Sequence, residues 1–158
     1  MTKYEKAIKL MNDYCGKGKD NVIALATIAC DENSDGKLRP SVRMVDAYYE
    51  EGVFYISTSA SKKKMKEIEA NPEVCVSGLD LFSVHGFAEN LGWVKDEKNA
   101  EIRAKMTKYF DWFTIHADEN NPDSIVLKVT LTDGVLTDNE RTYDDLMYHV
   151  DFIKKEAV

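Results

Sequence analysis

The 158-residue chain has little cysteine, little proline and no long hydrophobic run. Its three cysteines, Cys15, Cys30 and Cys75, are far apart and form no C-x-x-C pair, so neither a zinc site nor a disulfide framework is expected. No run of about 18 apolar residues occurs, which argues against a membrane-spanning helix. Because no apolar segment lies near the N-terminus, secretion is not expected, and we predict a cytoplasmic protein with reduced thiols.

Positive charge is also scarce. The chain has 21 Lys and Arg against 28 Asp and Glu, a formal net charge of −7. A nucleic-acid-binding protein would show a basic face, so neither nucleic acid nor an anionic membrane surface is expected as a partner. The length favours one domain, which we place over residues 1–158.

Short segments of strand chemistry recur along the chain. We place six strands at Val22–Cys30, Leu38–Tyr49, Val53–Ser57, Val74–Leu79, Ser83–Val94 and Ser124–Leu136. Turns are predicted at Asp31–Lys37, Glu50–Gly52 and Asp133–Gly134, and Pro40 suggests an edge position or a bulge. Short turns imply antiparallel pairing, and closure into a barrel removes vulnerable edges. The predicted fold class is α+β with a β-barrel core.

Four segments show helical spacing of apolar residues. The first covers Tyr4–Cys15, and the second carries three lysines and stops at Asn71-Pro72. The third begins at Asp96, a candidate N-cap, and its apolar face extends to Phe113. The fourth covers Asp144–Glu156, and its predicted apolar stripe consists of Leu146, Met147, Val150 and Ile153.

The second helix raises an electrostatic question. Lys62, Lys63 and Lys64 stand where the helix begins, yet cations at a helix N-terminus are disfavoured by roughly 0.3–1 kcal/mol each. A bound anion would reverse that sign, and the hydroxyls of Ser57, Thr58, Ser59 and Ser61 just before the helix suit a phosphate. The alternative is a solvated charge run whose lysines are neighbours of Glu67 and Glu69.

Arg43 is a second candidate anion ligand. Strand alternation places its side chain opposite to those of Val42 and Met44. Arginine suits bidentate phosphate recognition, although an arginine within a strand also commonly points to solvent.

These segments together resemble a known family. "RPSVRMV", then a turn, then "FYISTSASKKKMKEIEANPEV" and "VHGFAE" resemble the pyridoxamine 5'-phosphate oxidase-like family of FMN-binding split barrels. The resemblance covers roughly Val22 to Asn90, with a weaker match from Asp123 to Leu131. It implies a six-stranded antiparallel Greek-key split barrel with peripheral helices, and a homodimer with FMN at the interface.

The resemblance also implies a set of cofactor-binding residues. Arg43 would contact the FMN phosphate and ring edge, Lys64 the phosphate, and the backbones of Ser57 and Ser59 would flank the isoalloxazine and ribityl chain. The implied FMN site consists of Arg43, Met44, Val45, Ser57, Thr58, Ser59, Lys63 and Lys64. No catalytic side chain and no metal ligand is implied.

The sequence departs from the true oxidases at three places. Lys62 stands where the family has a serine, and Leu81 aligns with the oxidase glutamine. The C-terminal R-x-H substrate motif has no counterpart. We therefore expect a member nearer the general-stress and nitroimidazole-resistance branch, without oxidation of pyridoxamine 5'-phosphate.

Three functions follow as hypotheses. The first is an FMN-dependent oxidoreductase that passes electrons between a small-molecule donor and a small-molecule acceptor. The second is a non-catalytic flavin-binding or stress-related protein. The third is a haem-handling split barrel that uses His85 or His116, although a structural role for His85 is the commoner case.

Overall fold

A computed structural model describes residues 1–30, 35–78 and 80–158. Its strands are β1 (Asn21–Ile28), β2 (Pro40–Glu50), β3 (Val53–Ser59), β4 (Glu73–Gly78), β5 (Phe82–Trp93), β6 (Ser124–Thr137), β7 (Met147–Asp151) and β8 (Glu156–Ala157). The first six match the six predicted strands, with ends that shift by a few residues. Residues 31–34 of the predicted Asp31–Lys37 turn, and Leu79 of the predicted fourth strand, lie outside the described residues.

The strands form one antiparallel sheet that closes on itself. The order is β3-β2-β1-β4-β5-β6-β7-β8, and an additional β3–β6 pairing closes the first six strands into a barrel. The predicted α+β fold with a six-stranded antiparallel barrel is therefore confirmed. Pro40 is the first residue of β2, a position where its missing N–H interrupts no ladder.

The helices lie around the barrel. They are α1 (Lys3–Cys15), α2 (Lys63–Ala70), α3 (Ala100–Tyr109) and the short α4 (Phe113–His116), and a 3₁₀ turn at Glu97–Asn99 precedes α3. A capping box fixes the start of α1, because the Thr2 hydroxyl accepts from the Glu5 amide while the Glu5 carboxylate accepts from the Thr2 amide. Asp96 caps the 3₁₀ turn through the Lys98 amide, as its predicted N-cap role requires.

Two apolar clusters stabilise this arrangement. The larger one fills the barrel and takes in one face of α1 and the buried residues Met65 and Ile68 of α2. The smaller one holds α3 and α4 against the outside of β2 and β6, around Met106 and Phe113. Because α2 contributes to the barrel interior, its position on the barrel is set by packing as well as by its own charges.

The predicted C-terminal helix over Asp144–Glu156 is wrong, because the chain forms β7 and β8 there. Tyr148 and Val150 are buried while His149 between them is exposed, which is the period of a strand. β3 pairs with β6 only from Ser124 to Thr130, and β7 pairs with β6 from Asp133 to Thr137. The end of β6 thus needs a new partner, and β7 supplies it.

The predicted turn at Asp133-Gly134 is also wrong, because both residues lie inside β6. A Cβ atom at Gly134 would come within 2.5 Å of the Ser83 carbonyl oxygen and of the Val84 Cα. Gly134 therefore marks a close approach of β5 to β6, which is a common reason for a glycine within a strand.

No helix among the described ranges is both long enough and apolar enough to span a membrane.

Candidate anion site at the split between β2 and β3

The barrel opens between β2 and β3. These strands pair only over Tyr48–Glu50 and Val53–Tyr55. Before Tyr48, β2 continues along β1, and after Tyr55, β3 continues along β6. The two strands therefore diverge, and α2 follows directly from the end of β3 at this split.

Arg43 points from β2 toward the barrel interior at the split. Its Nη1 donates to the Leu25 carbonyl oxygen at 3.1 Å and to the Thr27 hydroxyl at 2.7 Å, and its Nη2 donates to the Glu67 carboxylate at 3.2 Å. These three bonds leave donors of the five-donor guanidinium fork unused among the described residues, and the side chain remains 24% exposed. Arg43 thus ties β2, β1 and α2 together at one point.

Glu67 is the unexpected member of this site. It lies in α2 and is fully buried, and one carboxylate oxygen pairs with Arg43. The other, Oε2, has no hydrogen-bond partner among the described residues. A buried charge is costly unless it is paired, so Glu67 depends on Arg43 for its compensation.

Lys64 adds positive charge close to Arg43. Burial, followed by the charges of Arg43 and Lys62, lowers the pKa of the Lys64 ammonium from its usual value. Lys62 is the N-cap of α2 and makes no side-chain capping bond. Three cations therefore lie around a helix N-terminus whose first backbone N–H groups have no intrahelical acceptor, which is a favourable environment for an anion.

The other predicted residues take different positions. Val45 lies on the interior side of β2 with Arg43, whereas Met44 lies on the outer face and is 62% exposed. Ser57, Thr58 and Ser59 are half-buried along the end of β3, where they pair with β6, and Lys63 is exposed at the start of α2. The Ser59 and Ser61 hydroxyls bond to each other at 2.9 Å. The structure thus groups Arg43 with Lys64, and places the hydroxyls on the strand that leads to them.

A cavity of about 410 Å³ lies on the other side of α2. It is lined by Ala60, Met65, Lys66, Ile68, Glu69, Ala88 and Asn90. It is therefore next to the predicted cofactor residues and is not formed by them. The predicted site itself lies at the split, where β2 and β3 diverge.

A family model described as pyridoxamine 5'-phosphate oxidase matches residues 17–137, which include the whole barrel up to the end of β6. The chain belongs to the pyridoxamine 5'-phosphate oxidase family. The family resemblance found in the sequence is thereby confirmed. No curated protein matches the chain.

Solved structures share the fold of this family member at low sequence identity. General stress protein 26 from Bacillus anthracis is 16% identical with a TM-score of 0.56, and the match covers 100% of this chain and 98% of that one. A haem-binding protein from Mycobacterium smegmatis is 15% identical with a TM-score of 0.66, over 98% of this chain and 60% of that one. An FAD-binding protein from Mesorhizobium loti is 18% identical with a TM-score of 0.53, over 80% of this chain and 86% of that one.

Two partners of Arg43 were not expected from the sequence. Thr27 and Glu67 hold Arg43, and both are polar residues in otherwise apolar positions. Thr27 interrupts the apolar run of β1, and Glu67 lies between the buried residues Met65 and Ile68 on α2. A polar residue on a buried face was the available signal, because such residues need a partner.

Proposed function

We propose that this protein binds FMN at the split between β2 and β3 and is an FMN-dependent oxidoreductase. The observation that supports this most strongly is the proximity of Arg43 and Lys64 at the start of α2. Arg43 is already paired with Glu67, and the half-buried Lys64 adds a second cation beside it, which a phosphate with nearly two negative charges would compensate.

The residues present fit the phosphate end of FMN. Lys64 and the free part of the Arg43 fork would hold the phosphate, with N–H groups at the start of α2. Thr58, Ser57 and Ser59 would line the path of the ribityl chain, with Val45, Met44 and Lys63 at the margins. FMN would supply the redox chemistry, and the protein would bind and orient it. The donor and the acceptor would be small molecules, and the free cysteines are consistent with a cytoplasmic location.

Fluorescence titration of FMN and riboflavin tests this proposal. We expect saturable FMN binding and much weaker riboflavin binding, because riboflavin lacks the phosphate. Bound FMN is then reduced under anaerobic conditions and mixed with a quinone or a nitroaromatic compound. Rapid reoxidation over repeated turnovers supports an oxidoreductase, and binding without turnover supports the non-catalytic alternative.

Haem binding is the second candidate, because His85 has the arrangement of a metal-ligating histidine. Its Nδ1 lies 3.1 Å from an Asp133 carboxylate oxygen, which leaves Nε2 for a ligand. Haem is added to the same protein after the flavin titration. If FMN does not bind, and haem gives a Soret band that His85→Gln abolishes, haem binding replaces the flavin proposal.

We further propose that two copies of the chain assemble around the cofactor. The outer face of β1 and β2 carries exposed apolar side chains, Val22 at 54%, Val42 at 68% and Met44 at 62%. A contiguous exposed apolar patch is typical of an interaction surface, and Arg43 of the proposed phosphate site lies on β2 as well. Light scattering should give a dimer mass.

Val42→Glu should shift the protein toward the monomer, because it places a charge in the apolar contact. Ile115→Glu, at an equally exposed apolar residue on α4, is the matched control and should leave the dimer intact. A monomer mass for the parent protein with FMN bound would contradict the assembly.

A further inference from the structure

A row of three reactive side chains crosses the outer face of the barrel. Cys75 on β4 pairs directly with His85 on β5, and His85 pairs directly with Asp133 on β6. His85 and Asp133 are exposed, and Cys75 is partly exposed between the buried Val74 and Val76. The row therefore faces outward, whereas Arg43 points to the interior, and it is separate from the proposed phosphate site.

Asp133 orients the imidazole of His85. The carboxylate lies 3.1 Å from Nδ1 and also accepts a bond from the Thr132 hydroxyl at 3.0 Å. In an imidazole the two nitrogens lie on opposite sides of the bond from the ring to Cβ. With Nδ1 turned toward β6, the Nε2 edge is turned toward β4, which carries Cys75.

Cys75 lies on the strand that this edge faces, directly opposite His85 in the register. Directly opposite residues on one face of an antiparallel pair have Cβ atoms about 4.5–5.5 Å apart. In the structure the Cys75 sulfur lies 3.9 Å from the hydroxyl of Ser83, the next outward residue along β5, so a rotation of the Cys75 side chain brings the thiol to His85. A thiol, an imidazole and an orienting carboxylate in that order form the arrangement by which a base activates a sulfur nucleophile.

We propose that Cys75, His85 and Asp133 form a thiol-exchange site that takes low-molecular-weight disulfides. His85 Nε2 accepts the proton of the Cys75 thiol, and the thiolate attacks one sulfur of the disulfide. The disulfide bond breaks, a mixed disulfide forms at Cys75, and the departing thiolate receives the proton from His85. Cys75 is oxidised and one half of the small disulfide is reduced to a thiol, so that no other oxidant is needed.

The charges around the row select the disulfide. Glu73 lies two residues from Cys75 on the same face of β4, and Asp151 on β7 is opposite Asp133. His149 is the other titratable group on that face of β7, and Lys154 pairs with Asp151 at 3.6 Å. The outer face is thus mainly acidic, so a cationic disulfide should react faster than an anionic one.

The other two cysteines serve as internal references. Cys15 is buried in α1, and burial raises the pKa of its thiol to about 12, so it should not react while the protein is folded. Cys30 is half-buried just beyond β1. The rate of disulfide exchange at Cys30 therefore serves as the reference for a thiol that is partly exposed.

The test uses the native protein with cystamine, a dication, or 3,3'-dithiodipropionate, a dianion. After acid quenching, mass spectrometry of peptides measures the mixed disulfide at each cysteine over time. We expect Cys75 to react before the other cysteines, and faster with cystamine than with the dianion.

His85→Gln should lower the rate of exchange at Cys75 about tenfold or more, because general-base assistance is lost. Asp133→Asn should lower that rate by less, because the base is then only misaligned. His116→Gln, at an exposed histidine on α4, is the matched control and should change nothing.

Equal Cys75 rates in the parent and in His85→Gln would overturn the proposal, as would faster exchange at Cys30 than at Cys75. Reaction at Cys15 in His85→Gln would show that this variant has unfolded. The comparison of Cys75 rates would then be made between the parent and Asp133→Asn. The site does not depend on flavin, so the outcome is independent of the FMN titration.

Discussion

Lys64→Ala should weaken FMN binding about ten- to hundredfold. The change removes one charge-assisted contact to the phosphate, which contributes roughly 1.5–3 kcal/mol. Lys64 is half-buried and close to Arg43 and Lys62, so its charge acts in a cleft that solvent screens only partly. Riboflavin affinity should hardly change, since riboflavin has no phosphate. Fluorescence titration of both flavins measures the ratio of FMN affinity to riboflavin affinity in the parent and in the variant.

Lys66→Ala is the matched control for the lysine prediction. Lys66 lies on the same helix but is exposed and lines the cavity on the other side of α2. Its loss should leave FMN affinity within about twofold of the parent value, as expected for an exposed charge beyond the first helical turn. Equal losses for Lys64→Ala and Lys66→Ala would mean that FMN responds only to overall charge and that no local clamp exists.

The lowered pKa of Lys64 gives this prediction a pH dependence. Binding needs the protonated ammonium, and a bound phosphate raises the pKa of that ammonium again. Above about pH 7, where the phosphate is a dianion, FMN affinity in the parent should be constant while free Lys64 is protonated and should fall as the pH rises through the lowered pKa of Lys64. This fall should be absent in Lys64→Ala.

The barrel was predictable because its strands carry local signals. β1 is a nearly continuous apolar run, and β3 follows a short turn at Glu50–Gly52. Such runs and turns are set by neighbours in sequence, which a single chain displays. Antiparallel pairing then followed from the short connections.

The C-terminal strands were not predictable in the same way. Val150 and Ile153 fit a helical stripe with Leu146 and Met147, yet in the structure Val150 is buried and Ile153 is 73% exposed. The deciding factor is the unpaired backbone of β6 beyond Thr130, where β3 has ended. This requirement comes from the tertiary structure, and it overrode a local period that suited a helix.

The candidate site shows the same division. Lys64 and Arg43 were identified from local sequence and from the family resemblance. The bond between Arg43 and Glu67 joins residues 24 positions apart and depends on how α2 lies over β1. In the sequence, Glu67 entered only the alternative interpretation, a solvated charge run beside the lysines. That alternative is wrong for Glu67, because Glu67 is fully buried.

Arg43→Ala should destabilise the folded protein by about 3–5 kcal/mol, which is the usual cost of removing one partner from a buried ion pair. The change leaves the Glu67 carboxylate buried with neither oxygen paired, and it removes the bonds to Leu25 and Thr27. Urea denaturation measures the free energy of unfolding of the parent and the variant. Lys9→Ala, which breaks the exposed pair with Asp13, should cost less than about 1 kcal/mol and is the matched control.

A second substitution separates the buried charge from the other losses. In Arg43→Ala with Glu67→Leu, no charge is left without a partner, and an apolar side chain joins Met65 and Ile68 in the interior. The double variant should therefore recover much of the stability that Arg43→Ala loses, although it should still bind FMN weakly. Glu67→Gln should be milder than Arg43→Ala, because its amide oxygen can still accept from Arg43.

The double variant also determines how Arg43 acts on FMN. If Arg43 contacts the phosphate, FMN affinity stays low after stability has returned, and the ratio of FMN to riboflavin affinity falls with it. If Arg43 only holds α2 in place, FMN affinity recovers with the fold. A double variant no more stable than Arg43→Ala would contradict the buried-charge explanation, because the cost would then lie in the bonds to β1.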